Sequence, residues 1–278
     1  MNTRVVRTAT SLAAASALIC VLSACAPVDS AASDVEKGEG SFVVQYDPAS
    51  TPENQTEQTL WQQAGLLEAF ADAMNKTVAL PKDVAVVAKD CQEANAFYDP
   101  ATSSISLCYE LSASERSSLE ADAVDGDAAG EEPVDQQLLE SARAVLYHEA
   151  GHALLAELGL AFTGREEDVA DQYSVYALTD SEEDADSLIT VAKIYYLNAQ
   201  SVTDVDELPF SDTHGLDAQR SANFLCYVYG AYPERYEYLV QDGTLDSERA
   251  GGCQEEFAQL SAGWESLLRP HLRSTNGS

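Results

Sequence analysis

The chain reads as an α+β protein, because β-rich runs occupy its first third, helical periodicities occupy the remainder, and one long apolar-faced helix follows the changeover. Residues 41–46 alternate enough for a strand. From Gln55 to Asn75, Leu60, Leu66, Leu67, Phe70 and Met74 recur at helical spacing and predict one helix. Residues 83–89 and 104–109 are β-rich, with Asp99-Pro100 turn chemistry between them, and are expected to pair as a hairpin. The acidic run over residues 112–137 reads as a solvated insertion loop. A helix over about 134–158 follows, burying Leu138, Leu139, Ala142, Val145, Leu146 and Leu154, with Gly159 as its stop. Further helices are expected to start near Glu166, to start after Ser181 as N-cap, to run from about 216 to 229, and to end near Leu268.

Arg4 and Arg7, an apolar stretch over residues 11–22 and Leu22-Ser23-Ala24-Cys25 follow the order of an export signal, here residues 1–24. The stretch is shorter than the roughly 20 residues a spanning helix needs. Leu22-Ser23-Ala24-Cys25 resembles the bacterial lipobox, which implies a lipid on Cys25 and a place at the outer face of the cell membrane. A plain secretory cut after Ala26 is the alternative. Residues 25–40 lack an apolar period and read as a tether, leaving residues 41–273 as the folded domain.

Without Arg4 and Arg7 the chain carries 13 basic and 47 acidic groups, a net charge of −34. Such a surface repels nucleic acid and anionic lipid, so neither is expected as a partner. With Cys20 in the signal and Cys25 at the anchor, Cys91, Cys108, Cys226 and Cys253 form an even set in an exported protein. Proximity in sequence favours Cys91 with Cys108 and Cys226 with Cys253. No C-x-x-C pair is present, which argues against a thiolate zinc site.

The chemistry centres on His148-Glu149-Ala150-Gly151-His152. Residues four apart share a helix face, so His148 and His152 can both direct a nitrogen at one zinc ion. Glu149 lies beside that ion without binding it and can take a proton from a zinc-bound water, whose pKa falls toward about 7. A catalytic zinc takes a third protein ligand. Glu167 is the choice, with Glu166, Asp168 and Asp171 as rivals; Asp171, one turn on, can instead accept the N–H of a ligand imidazole.

His148-Glu149-x-x-His152 with Glu167-x-x-x-Asp171 resembles the gluzincin metallopeptidases, in which the first Glu is the base, the second a ligand, and the Asp supports a ligand His. Asn95-Ala96-Phe97-Tyr98 is similar to the edge-strand segment of thermolysin-like members that pairs with substrate backbone, which implies substrate binding at Asn95 and Ala96; ordinary turn-and-strand chemistry is the alternative. From about Phe42 to Cys253 the chain also resembles a bacterial family of unknown function described as metallopeptidases, through Asp90-Cys91, Cys108-Tyr109-Glu110-Leu111, Gly164-Arg165-Glu166-Glu167-Asp168 and the segment from His214 to Cys226. The resemblance implies a zincin-like fold. In the resembling peptidases a His beyond the ligand Glu stabilises the oxyanion, a role for His214 with Asp212 to orient it. Arg220 can offer charge to the same intermediate. An Asp N-cap, a surface His and a structural Arg are the competing readings of these three residues.

Tyr109, Tyr147 and Tyr173 are expected to pack in the core, and His271 to be incidental. The combined expectation is a zinc peptidase with peptide or protein substrates. Its rivals are a non-catalytic zinc-containing binding or scaffold lipoprotein and a metal-dependent hydrolase of a non-peptide bond.

Overall fold

The computed structural model describes residues 38–125, 132–204, 206 and 208–273. The signal, Cys25 and the tether through residue 37 lie outside them. Gly40, assigned above to the tether, is already in the fold: its N–H donates to Leu80 O at 3.0 Å.

Strand β1 (Phe42–Tyr46) leads into α1 (Pro52–Ala64), where Thr51 Oγ1 accepts the Asn54 N–H and Pro52 occupies the first turn. The single helix expected over 55–75 is two, because Gly65 adopts φ 61° and turns the chain into α2 (Leu66–Thr77). Both halves keep their apolar faces on the core, Trp61 before the break and Leu67 and Phe70 after it, so periodicity alone misses the turn.

After α2 come β2 (Val84–Lys89), β3 (Ala96–Asp99) and β4 (Ser104–Cys108), in a four-stranded sheet of order β1-β2-β4-β3. β2 and β4 pair in parallel, not as the expected hairpin. The hairpin is β3 with β4, Ala96 facing Leu107 and Asp99 facing Ser104. β3 thereby becomes an edge strand. Cys91 and Cys108 form one disulfide, tying the segment after β2 to the end of β4.

The acidic run is also not a loop at its start, since residues 109–125 form helix α3 (Tyr109–Asp125). Its inner face carries Ser112, Glu115 and Leu119 at helical spacing, and Ser112 with Arg116 binds Glu57 on α1. Polar groups on a buried face hide a helix from a hydrophobic reading.

Helix α4 (Val134–Glu157) crosses the sheet, buries Leu138, Leu146 and Leu154, and stops before Gly159 at φ 61°. Helices α5 (Glu166–Leu178), α6 (Glu182–Ser201, capped by Ser181) and α7 (Asp217–Ala231) agree with the sequence reading. A four-residue α8 (Tyr238–Gln241) was not anticipated, and α9 (Ser247–Leu268) closes the helical part. One core lies between the sheet and α1, α2, α4 and α5; a second joins α6, α7 and α9, where Cys226 and Cys253 form the other expected disulfide. The architecture is α+β, with a small N-terminal sheet and a helical remainder. No helix among the described residues is long and apolar enough to cross a membrane.

Candidate metal centre

The two imidazoles of α4 meet a carboxylate from the first turn of α5. The gap between His148 Nε2 and His152 Nε2 is 3.2 Å, and Glu167 Oε2 lies 3.1 Å from His152 Nε2 and 3.4 Å from His148 Nε2. What brings α5 this close is Gly151, between the two histidines. A Cβ there would stand 3.0 Å from Ala170 Cα and 3.1 Å from Tyr173 Cβ. Glu166, Glu167 and Asp168 also suit the positive end of the α5 dipole.

Each histidine has a second carboxylate behind it. His148 Nδ1 is 2.8 Å from Asp171 Oδ1, and His152 Nδ1 is 2.9 Å from Glu166 Oε1. With protons only at the two Nδ1 atoms, the two Nε2 lone pairs and the Glu167 oxygen would converge on one point, an arrangement that suits a cation. Burial pulls His148 down, yet its bonds to Asp171 and Glu167 win and push it up to about 9. Glu167 is held well below the usual carboxylate range by His148, His152 and His214 despite its burial. For donors about 2.0–2.1 Å from one zinc in tetrahedral geometry, mutual separations near 3.3 Å follow. The three distances fit that value.

His214, just ahead of α7, brings Nε2 to 2.9 Å from Glu167 Oε2, while Asp212 Oδ1 accepts from its backbone N–H at 2.8 Å and faces its Nδ1 at 3.1 Å. His148, Glu167 and His214 offer ligand atoms within 4.8 Å of one another, so His214 can reach an ion as well as a bound substrate. Glu149 is 4% exposed, and burial raises its carboxyl above the ordinary range.

These groups line a cleft of about 640 Å³ whose opposite wall is Asn95, Ala96, Phe97 and Tyr98 of the edge-strand segment. A larger cavity of about 1100 Å³ between α4, α6 and α7 shares no lining residue with it and has no histidine in its wall. Residues 46–268 match a family model described as "Putative metallopeptidase". The chain belongs to that family. This metallopeptidase family segment includes every residue of the cleft. No curated protein and no solved structure matches the chain.

Of the expected site residues, His148, Glu149, His152, Glu167, Asp171, Asp212, His214, Asn95 and Ala96 gather in or directly behind this cleft. Among the rival ligands, Asp168 turns away to pair with Arg165 at 2.9 Å. Arg220 does not line the cleft. It is 9% exposed and donates both Nε and Nη2 to Asp171, at 2.9 and 2.7 Å, which corrects its assignment to substrate binding. Sequence reasoning missed Glu166 as the partner of His152, since a contact between α4 and α5 has no signature in spacing. Tyr109 and Tyr173 are buried as expected.

Proposed function

We propose that this chain is a zinc-dependent peptidase, exported and anchored through Cys25, with zinc held by His148, His152 and Glu167. The observation that carries the reading is the convergence of those three donors beside an edge strand, with Glu149 in the wall of the same cleft. Bound zinc would supply a Lewis acid and make a water acidic enough to ionise near neutral pH.

The protein's own groups account for the rest. The edge of β3, unpaired among the described residues, offers backbone N–H and C=O groups to an extended peptide, which suits peptide over other substrates. Glu149, with its pKa raised by burial, is suited to accept a proton at its carboxylate and pass it to the departing amine. His214, oriented by Asp212, faces the same space and can donate to the oxygen that gains charge. Asp171 and Glu166 keep the ligand imidazoles in one tautomer.

A second reading, a closed structural zinc site without catalysis, draws on the 2.9 Å approach of His214 to Glu167, because a fourth protein ligand shuts out water. Metal content and cleavage of an unfolded protein substrate by wild type, Glu149→Gln and His214→Gln separate the two. The peptidase reading expects about one zinc in each, no cleavage by Glu149→Gln, and cleavage by His214→Gln reduced roughly 100-fold or more. Loss of zinc from His214→Gln with no cleavage by wild type would establish the closed site, and a wild type without zinc would end both readings.

A further inference from the structure

Helix α7 reaches the metal cluster from behind, through Arg220. One edge of its guanidinium meets both oxygens of Asp171, at 2.9 and 2.7 Å, and Asp171 Oδ1 in turn faces His148 Nδ1 at 2.8 Å. One face of the same guanidinium lies over the Tyr195 ring of α6, with Cζ 4.1 Å from the centroid. Tyr195 itself stacks on Phe224 of α7, with centroids 5.9 Å apart and planes at 29°. The Arg220 and Asp171 side chains are only 10% and 12% exposed.

A carboxylate whose sole partner was an imidazole could rotate and exchange oxygens. The two parallel N–H groups of a guanidinium occupy both oxygens and remove that freedom. The aromatic stack fixes the guanidinium plane in turn. A buried ion pair adds little net stability relative to apolar packing, so orientation is what this pair chiefly supplies.

We propose that Arg220 is a positioning residue: it holds Asp171 in the one orientation that keeps the proton on His148 Nδ1 and turns Nε2 toward the metal, so that the α6–α7 pair sets metal affinity. The proposal rests on the zinc reading above. It adds a residue that touches neither metal nor substrate.

The test is zinc affinity of the full chain, measured by competition with a chromophoric chelator, alongside melting of the zinc-free protein. Arg220→Lys keeps the charge and loses the fork, and is expected to bind zinc roughly 10- to 100-fold more weakly. In an Asp171→Asn background the same change is expected to have little further effect, because the two residues act as one unit. Tyr195→Leu, which leaves the ion pair in place and removes the stack, is expected to weaken zinc binding in the same direction and serves if Arg220→Lys does not fold. A wild type that binds zinc while Arg220→Lys and Tyr195→Leu lower only the melting temperature would overturn the proposal, as would additivity with Asp171→Asn. A wild type that binds no zinc would instead remove the zinc reading on which it stands.

Discussion

The Tyr98 phenol donates to Glu157 Oε1 at 2.5 Å and so joins the edge strand β3 to the final residue of α4. Ser103 Oγ donates to the same oxygen at 2.7 Å, and Lys82 Nζ lies 3.2 Å from Oε2. The helix that carries His148 and His152 therefore also holds the strand across the cleft from them. Burial favours the neutral Glu157 carboxyl, but these three donors outweigh it and lower its pKa.

Tyr98→Phe should loosen β3 without touching the metal donors. Under the proposed peptidase function, its KM for an unfolded protein substrate should rise about tenfold, matching ~1.4 kcal/mol of lost positioning, with kcat nearly unchanged. Steady-state kinetics check this, and an equal fall in kcat at constant KM would show that the strand does not position substrate.

Gly151→Ala should act on the spacing of α4 and α5. Alanine favours a helix over glycine by about 1 kcal/mol, while overlap with Ala170 and Tyr173 costs about 1–3 kcal/mol, so the net change is a loss of about 0–2 kcal/mol. The displacement of α5 carries Glu167 and Asp171 with it, and under the proposed zinc reading the affinity for zinc should fall roughly tenfold. Chelator competition and a melting curve measured together distinguish the two effects. Unchanged zinc affinity would mean that the helix spacing does not control the donor set.

Glu115 provides a pH test away from the cleft. Its carboxyl lies buried between α3 and α4, accepts the Ser141 hydroxyl at 3.0 Å, and is pushed by burial from 4.5 up to about 8. An acid whose folded pKa exceeds its unfolded value imposes no penalty below about pH 4.5. As pH rises from there toward 8 the unfolded chain ionises first, folding must recapture a proton, and stability falls. Glu115→Gln, which keeps an acceptor for Ser141, should match wild type at pH 4 and exceed it at pH 8 by on the order of 1–4 kcal/mol. Denaturant unfolding across this range gives the answer; parallel curves for the two proteins would contradict it.

Much of the helical part was legible in sequence because its signals are local. The stop of α4 at Gly159, the Ser181 cap of α6 and the pairing of His148 with His152 each involve residues within a few positions of one another. Both disulfides also followed from proximity, across separations of 17 and 27 residues. The misreadings share a different cause. α3 has Glu115 and Ser112 where apolar residues would signal a buried face, and Gly65 breaks a helix whose apolar stripe continues in register. The partner of β2 was misassigned because two β-rich runs do not state whether they lie parallel, and the short β3 takes the antiparallel place beside β4.

By itself the sequence determined that two imidazoles sit on one helix, since a four-residue separation on an α-helix puts both on one face whatever surrounds them. Only the tertiary structure decided which acid of α5 meets them, which acids stand behind them, and that Arg220 serves Asp171 rather than the cleft. Those choices depend on how closely α4, α5 and α7 approach and at what rotation, and Gly151 against Ala170 sets the first of these distances through a contact between residues 19 positions apart.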